Sequence, residues 1–142
     1  MKRAIAVAAI AGAVAILPAS AQTKKAAPNT ITYDITVNAD GDAHTGTMAL
    51  TVVGGKVAGD MHITKPSEIT GKAAGTAKAG QMHLDFPYRM VQRACDGRIE
   101  MDIKLPAKMG SGPGKGTVAI TGCGRSDGNK LAGTIELTPR KK

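Results

Sequence analysis

Apolar residues recur at every second position along most of this sequence, and this alternation restricts the folds that the chain can adopt. The cleanest run places Ile99, Met101 and Ile103 on one side, with the charged residues Glu100 and Asp102 on the other. Because successive side chains of a β-strand point to opposite faces, such a run is typical of a strand with one buried face. Eight runs of this kind lie between residues 31 and 137, and no window after residue 21 shows a comparable helical period. The sequence therefore predicts an all-β fold.

Two short turns predict how neighbouring runs pair. Gly54-Gly55 is a two-residue hairpin signal, because both residues readily adopt a positive φ. Pairing about this turn places Val52 opposite Val57, so that two inward positions meet. The Ala79-Gly80 turn has the same effect on the runs that flank it. A shift of one residue at either turn would bring inward positions opposite outward ones, so the pattern predicts the register as well as the strands.

Eight successive antiparallel strands with short connections predict an up-and-down meander, in a single domain over residues 31–138. Eight is also the number of strands at which a sheet closes into a small barrel. Closure leaves no exposed sheet edge, which a chain with few helices could not otherwise cover. We therefore expect an antiparallel eight-stranded up-and-down barrel, with a two-sheet β-sandwich as the alternative.

The number of strands resembles that of calycin-type barrels such as lipocalins and avidins. The resemblance does not extend to the Gly-x-Trp signature of those proteins, because the sequence contains no Trp. Its aromatic residues are Tyr33, Phe86 and Tyr88 alone, so the ligands of that family are not implied. We expect a soluble barrel rather than a membrane-spanning one, since four charges occupy one face of the run over 98–105.

The first residues predict export. Lys2 and Arg3 precede an apolar run from Ala4 to Leu17, and Ala19-Ser20-Ala21 provides the small residues that a signal peptidase requires. As a helix the run would rise about 21 Å, which is less than the roughly 30 Å hydrocarbon core of a bilayer. We therefore predict a signal peptide over 1–21, no transmembrane segment after its removal, and a periplasmic or secreted bacterial protein.

The excess of positive charge lies mainly at the ends of the chain. Without Lys2 and Arg3, 17 basic residues face 11 acidic ones. Five of the basic residues lie in two tails, which we predict to be a flexible segment over 22–30 and a basic C-terminal tail over 139–142. The body between the tails has 12 basic and 11 acidic residues. Weak contact of the tails with an anionic surface is one interpretation, and solvation of the tails is the other.

The two cysteines predict one disulfide. Cys95 and Cys123 are an even pair in a chain with an export signal, and they lie just before the sixth run and just after the seventh. Antiparallel neighbours bring these two positions to the same end of the sheet. A reactive thiol pair would more typically have Cys-x-x-Cys spacing, so we expect a structural bridge.

Two Met-His pairs raise the question of copper or zinc. The sequence contains Met61-His62 and Met82-His83, and these side chains suit copper. Neighbouring residues of a strand point to opposite faces, however, so each Met is expected in the core and each His outside. An outward metal site of His62, His83, Asp60 and Asp85 is the alternative to our expectation of no metal. The third histidine, His44, is expected to be solvated in a turn over 40–45.

The sequence contains no motif that predicts catalysis, a cofactor or nucleic-acid binding. Serines after the leader lie in predicted turns without a Gly-x-Ser-x-Gly elbow. The glycine-rich segment over 110–116 lacks the Ser or Thr that a phosphate loop requires after its Lys. The scarcity of aromatic residues also argues against base stacking. We therefore expect a protein that is not an enzyme.

Two functions remain as hypotheses. The first is binding of a small apolar ligand inside the barrel, because small residues on the fourth run would leave volume beside flexible methionines. The residues expected to face this ligand are Ala73, Gly75, Met82, Phe86 and Met101. The second is a structural or protein-interaction module of the cell envelope that contacts an envelope protein, in the manner of an inhibitor, through loops such as Arg89–Arg93.

Overall fold

The structure, a computed structural model, describes residues 29–123 and 129–141. The predicted signal peptide over 1–21 and residues 22–28 of the basic segment lie outside the described residues. Within the described part of the chain, no helix is long and apolar enough to cross a membrane.

Eight β-strands form one closed antiparallel barrel, which confirms the predicted fold class and excludes the β-sandwich alternative. Each strand pairs with the next in sequence, and the last pairs with the first. The strands are β1 (Thr30–Ala39), β2 (Asp42–Val53), β3 (Lys56–Lys65), β4 (Ile69–Lys78), β5 (Gln81–Met90), β6 (Cys95–Lys104), β7 (Gly114–Gly122) and β8 (Leu131–Pro139).

The alternating direction of the strands defines two ends of the barrel. The upper end carries the connections β1–β2, β3–β4, β5–β6 and β7–β8. The lower end carries the other three connections, together with the first residue of β1 and the last residue of β8.

The predicted register is confirmed at both glycine-containing turns. Val52 pairs with Val57 across Gly54-Gly55, and Ala77 pairs with Met82 across Ala79-Gly80. The left-handed conformation is present at all four turn residues, including the non-glycine Ala79, whose φ is 51°. The turns thus set the pairing that the alternation requires, and inward residues meet inward residues.

The barrel interior is a packed apolar core. Its largest fully buried side chains come from six strands and have less than 2% of their surface exposed; they are Tyr33, Phe86, Ile35, Met48, Leu50, Met61, Ile63, Met82, Leu84, Met101, Ile103 and Ile135. Among the described residues no polar or charged residue is buried as a whole. The core therefore follows the apolar phase of the sequence pattern.

Inward glycines provide space for large neighbours. A Cβ atom at Gly71 would lie 2.9 Å from Cε2 of Phe86. A Cβ atom at Gly75 would overlap the backbone carbonyl of His83 on the adjacent strand. The space beside the small residues of β4 is thus filled by the side chains and backbone of β5, as close packing requires, and no empty volume remains there.

Candidate functional site

The five residues predicted to face a ligand belong to the barrel wall; Met82 is the second residue of β5, and the other four lie in the central parts of their strands. Ala73, Met82, Phe86 and Met101 have at most 2% of their surface exposed, and the backbone of β5 adjoins Gly75. None of the five lines the cavity at the upper end of the barrel. Their contact with a ligand stays a prediction. The structure contains a candidate cavity in a different part of the barrel, at its upper end.

A cavity of about 230 Å³ lies at the upper end of the barrel and is called here the His44 cavity. Most of its lining residues are apolar, but polar atoms provide more of its accessible surface than apolar atoms do, and its rim includes ionisable groups from the β1–β2 and β5–β6 connections. The residues that matter for its chemistry are the apolar Val37, Ile63, Ile69, Tyr88, Met90 and Ile99 and the polar Asp40, Asp42, His44 and Arg93. An apolar pocket with a few polar groups is the usual form of a small-molecule site.

His44 faces the interior because of its register in β2. It pairs with Val37, which points into the barrel and is 1% exposed. The predicted solvated turn over 40–45 is therefore wrong at this residue, since β2 already begins at Asp42. Met48 and Leu50 point inward, and counting back from Met48 in steps of two residues reaches His44. The sequence therefore contained an indication that His44 points inward, but the turn-forming Asp40-Gly41 favoured the interpretation as a turn.

The Nδ1 atom of His44 is buried and has no hydrogen-bond partner among the described residues. A buried polar atom without a partner is costly, because it has lost its hydrogen bonds to water and gained none in return. The His44 residue lines the cavity, and the imidazole tautomer determines which of its two nitrogens donates a hydrogen bond and which accepts one. Nδ1 itself has almost no accessible surface, so a molecule in the cavity would contact it only after a rotation of the ring.

Tyr33 carries the other buried polar atom, but it lies towards the lower end of the barrel. Burial raises the pKa of the Tyr33 phenol, and the nearby backbone of Gly110 acts in the opposite direction. Tyr33 does not line the His44 cavity. Its hydroxyl is therefore a feature of the core, and His44 is the polar group that bears on ligand binding.

The outward histidines and aspartates proposed as an alternative metal site do not converge. Nε2 of His62 lies 3.0 Å from Glu68, and Nδ1 of His83 lies 2.7 Å from Asp102. The strands of the two histidines, β3 and β5, are separated by β4. Lys72 contacts Asp60, and Arg98 contacts Asp85. Across residues 29–123 and 129–141, no group of three or more His, Cys, Asp or Glu residues is arranged to hold a metal ion.

Ion pairs across neighbouring strands account for two pKa shifts on the outer surface. A hydrogen bond from Lys130 lowers the pKa of the Glu100 carboxyl, which Lys130 also stabilises by its charge. Two hydrogen bonds to Asp85 raise the pKa of Arg98. These groups are at least one-third exposed, so the pairs contribute little to stability.

Replacing both outward histidines, as His62→Gln/His83→Gln, is expected to leave copper and zinc binding unchanged. Each imidazole has a separate carboxylate neighbour, and a lone His–carboxylate pair provides too few ligands for tight binding. Isothermal titration with Cu²⁺ and Zn²⁺ would measure the affinities of the parent and the variant. A submicromolar site that disappears in the variant would contradict this expectation.

The disulfide is present between the predicted cysteines. Cys95 is the first residue of β6, and Cys123 follows the last residue of β7, with their Cα atoms 5.1 Å apart. The bridge lies at the upper end of the barrel, beside the β5–β6 connection. It therefore joins the two strands of the hairpin with the longest described connection.

The loop proposed for protein contacts is partly a strand. Arg89 and Met90 end β5, and Arg89 forms an ion pair of 3.3 Å with Asp96. Val91, in the connection, has 58% of its surface exposed. Arg93 contributes to the rim of the His44 cavity. The same connection thus serves two candidate surfaces.

No family model, no curated protein and no solved structure matches the chain. The class of protein is therefore defined by its architecture, an all-β closed barrel of eight antiparallel strands with the size and connections of a small calycin-like barrel. A shared architecture does not determine what such a barrel binds, because binding depends on the residues of the individual chain.

Proposed function

We propose that this protein is an exported, non-enzymatic barrel that binds a small, largely apolar molecule in the His44 cavity. The ligand would have an apolar body and one hydrogen-bonding group. The observation that carries the proposal is the imidazole of His44, whose buried Nδ1 has no partner among the described residues, in a cavity lined mostly by apolar residues.

The size of the cavity restricts the ligand. Its volume is about 230 Å³, and an apolar cavity of about 150 Å³ is sufficient to hold benzene. Branched and aromatic side chains such as Ile63, Ile69 and Tyr88 form its wall. A single ring or a short alkyl chain fits this space, whereas a long acyl chain would have to displace the packed core below it.

The location of the protein is part of the proposal. The Cys95–Cys123 bridge is compatible with an oxidising compartment, in which disulfides persist. The signal peptide predicted from residues 1–21 supports the same location. We propose the periplasm or the surrounding medium of a bacterial cell, where a carrier of small molecules would meet ligands outside the cytoplasm.

Benzyl alcohol and toluene form a suitable probe pair, because they share a ring and differ in one hydroxyl group. We expect benzyl alcohol to bind about fivefold more tightly, which corresponds to one net hydrogen bond of about 1 kcal/mol. Substitution His44→Leu should remove this preference and retain toluene binding. Amide shifts in ¹H–¹⁵N NMR titrations would give both the affinities and the position of the probes.

A pair of alanine-to-leucine substitutions separates the cavity from the barrel centre. Ala39 lines the His44 cavity, so Ala39→Leu should weaken binding of both probes by partly filling it. Ala73 is 2% exposed in the packed core, so Ala73→Leu should cost about 1–3 kcal/mol of stability and leave the affinities unchanged. Probe-induced shifts centred on Met82 and Met101 would instead show that the ligand binds in the barrel centre and not in the His44 cavity. Absence of binding would favour the interaction module, with the exposed Val91 as its first candidate contact.

A further inference from the structure

The lower end of the barrel carries a ring of positive charge that the composition of the sequence does not reveal. Its cationic residues come from the ends of five strands and from the β6–β7 connection, and all of them are exposed. They are called here the basic end and comprise Lys56, Lys78, Lys104, Lys108, Lys115, Arg140 and Lys141.

Acidic residues near the basic end are fewer and already paired. Lys115 forms an ion pair of 3.0 Å with Glu136, and Arg140 forms one of 2.7 Å with Asp34. Asp102 contacts His83, at 2.7 Å. Five lysines, at positions 56, 78, 104, 108 and 141, have no ion-pair partner in the described part of the chain. The lower end therefore has a strong net positive charge.

The upper end does not share this excess. Arg89 pairs with Asp96 there. The charged residues at this end that form no ion pair within residues 29–123 and 129–141 include both signs in equal number, namely Lys65, Arg93, Asp40 and Asp42. The barrel thus has a basic end and a nearly neutral end, which the total charge of its body conceals.

The closed barrel distributes the cationic residues of the basic end over several strands, and a recess at this end includes Lys108, Arg140 and Lys141. Strands that pair around a circle end on a circle, so Lys56, Lys78 and Lys104 lie at separate points around it. The exposed Val53, with 49% of its surface accessible, lies at the same end beside the β2–β3 turn. A ring of lysines with an apolar contact suits a planar anionic partner better than a narrow one.

We propose that the basic end docks the barrel on the surface of a bilayer that contains anionic phospholipids. Lysines near such a surface each strengthen binding about fivefold through the negative surface potential. Docking at this end directs the His44 cavity, at the opposite end, away from the bilayer.

A nucleic acid is a less suitable partner for the same charges. Binding of single strands relies on exposed aromatic rings on which bases stack, and Tyr33, Phe86 and Tyr88 have at most 6% of their surface exposed. The positions 56, 78 and 104 also surround the barrel end instead of following one groove. The observations therefore favour a lipid surface over a nucleic acid.

Flotation with phospholipid vesicles tests this proposal. We would use the chain from Gln22 to Lys142, which contains every strand of the barrel, because the apolar run over 4–17 would itself bind lipid. At about 0.1 M salt, we expect binding to vesicles of phosphatidylglycerol mixed with phosphatidylcholine and little binding to phosphatidylcholine alone. The variant Lys56→Gln/Lys78→Gln/Lys104→Gln should bind the anionic vesicles about 100-fold more weakly.

A control variant removes three positive charges from the other half of the barrel, at Lys65, Lys72 and Lys130, again by Gln. It has the same net charge as the test variant, but its altered sites lie more than one Debye length, about 10 Å, from a docked bilayer. We expect its affinity to fall by less than about threefold. Urea denaturation of both variants would verify that these exposed substitutions leave the barrel folded.

Four outcomes would overturn the proposal. The first is equal binding of the parent to anionic and neutral vesicles, and the second is an equal loss in the two triple variants. The third is abolition of binding by Lys24→Gln/Lys25→Gln alone, which would assign the contact to the N-terminal segment. The fourth is binding to heparin through the same three lysines with no vesicle binding, which would indicate a soluble polyanion.

Discussion

Met101→Lys is expected to unfold the protein. Met101 lies at the centre of β6 between Leu84 and Val118, and none of its surface is exposed. Lysine at this position would place an ammonium group, without a partner, in an apolar core. We expect a loss of at least about 4 kcal/mol, which is a large part of the roughly 5–15 kcal/mol that stabilises a typical domain.

Urea denaturation followed by far-ultraviolet circular dichroism would measure this loss. The control is Lys104→Met on the same strand, where the side chain is exposed and the change should stay within about 0.5 kcal/mol. Any residual stability of Met101→Lys should rise with pH up to about 10.4. The reason is that the introduced lysine is neutral when it is buried in the folded variant, whereas in the unfolded chain it stays protonated below that pH. A variant as stable as the parent would show that the inward face had been assigned incorrectly.

The fold was predictable from the sequence because its determinants are local. A strand with one buried face requires alternation of apolar and polar residues, and the run over 98–105 shows it without interruption. Gly54-Gly55 then sets the pairing of two neighbouring strands. Closure follows from repeating this local order eight times, since the barrel requires no long-range crossover.

The position of the candidate site was not predictable in the same way. The glycines of β4 suggested empty volume, but packing depends on what lies across the strand, and Phe86 occupies the space beside Gly71. Conversely, the Asp40-Gly41 signal was interpreted as a longer turn than the structure contains. Because the turn is tight, His44 belongs to a strand and its side chain enters the barrel.

The segregation of charge was also hidden in the linear sequence. Lys56 begins a strand, whereas Lys78 and Lys104 end strands, so the three are far apart in sequence. Alternating strand direction brings all of them to one end of the barrel. A count of 12 basic and 11 acidic residues in the body therefore describes the total charge correctly and its distribution not at all.

Removing the disulfide by Cys95→Ala/Cys123→Ala is expected to lower the free energy of unfolding by about 3–4 kcal/mol. The bridge closes a segment with a sequence separation of 28 residues, which includes the β6–β7 connection over 105–113. Without the bridge, the unfolded chain gains the conformational freedom of this segment, and the folded state gains nothing comparable. Urea denaturation of the parent and the variant would measure the difference, and the parent in excess reductant should show the same loss.

A second variant separates the bridge from the backbone strain at its end. Cys123 has a φ of 54°, in the left-handed region that favours glycine. Cys95→Ala/Cys123→Gly lacks the bridge but relieves this strain, so it should be about 1 kcal/mol more stable than the double alanine variant.

Mass spectrometry of the parent, purified without reductant, should show two hydrogens fewer than the reduced form. If the double alanine variant is within about 1 kcal/mol of the parent, the bridge does not stabilise the β6–β7 hairpin, and ladder hydrogen bonds with the packed core must suffice to hold it.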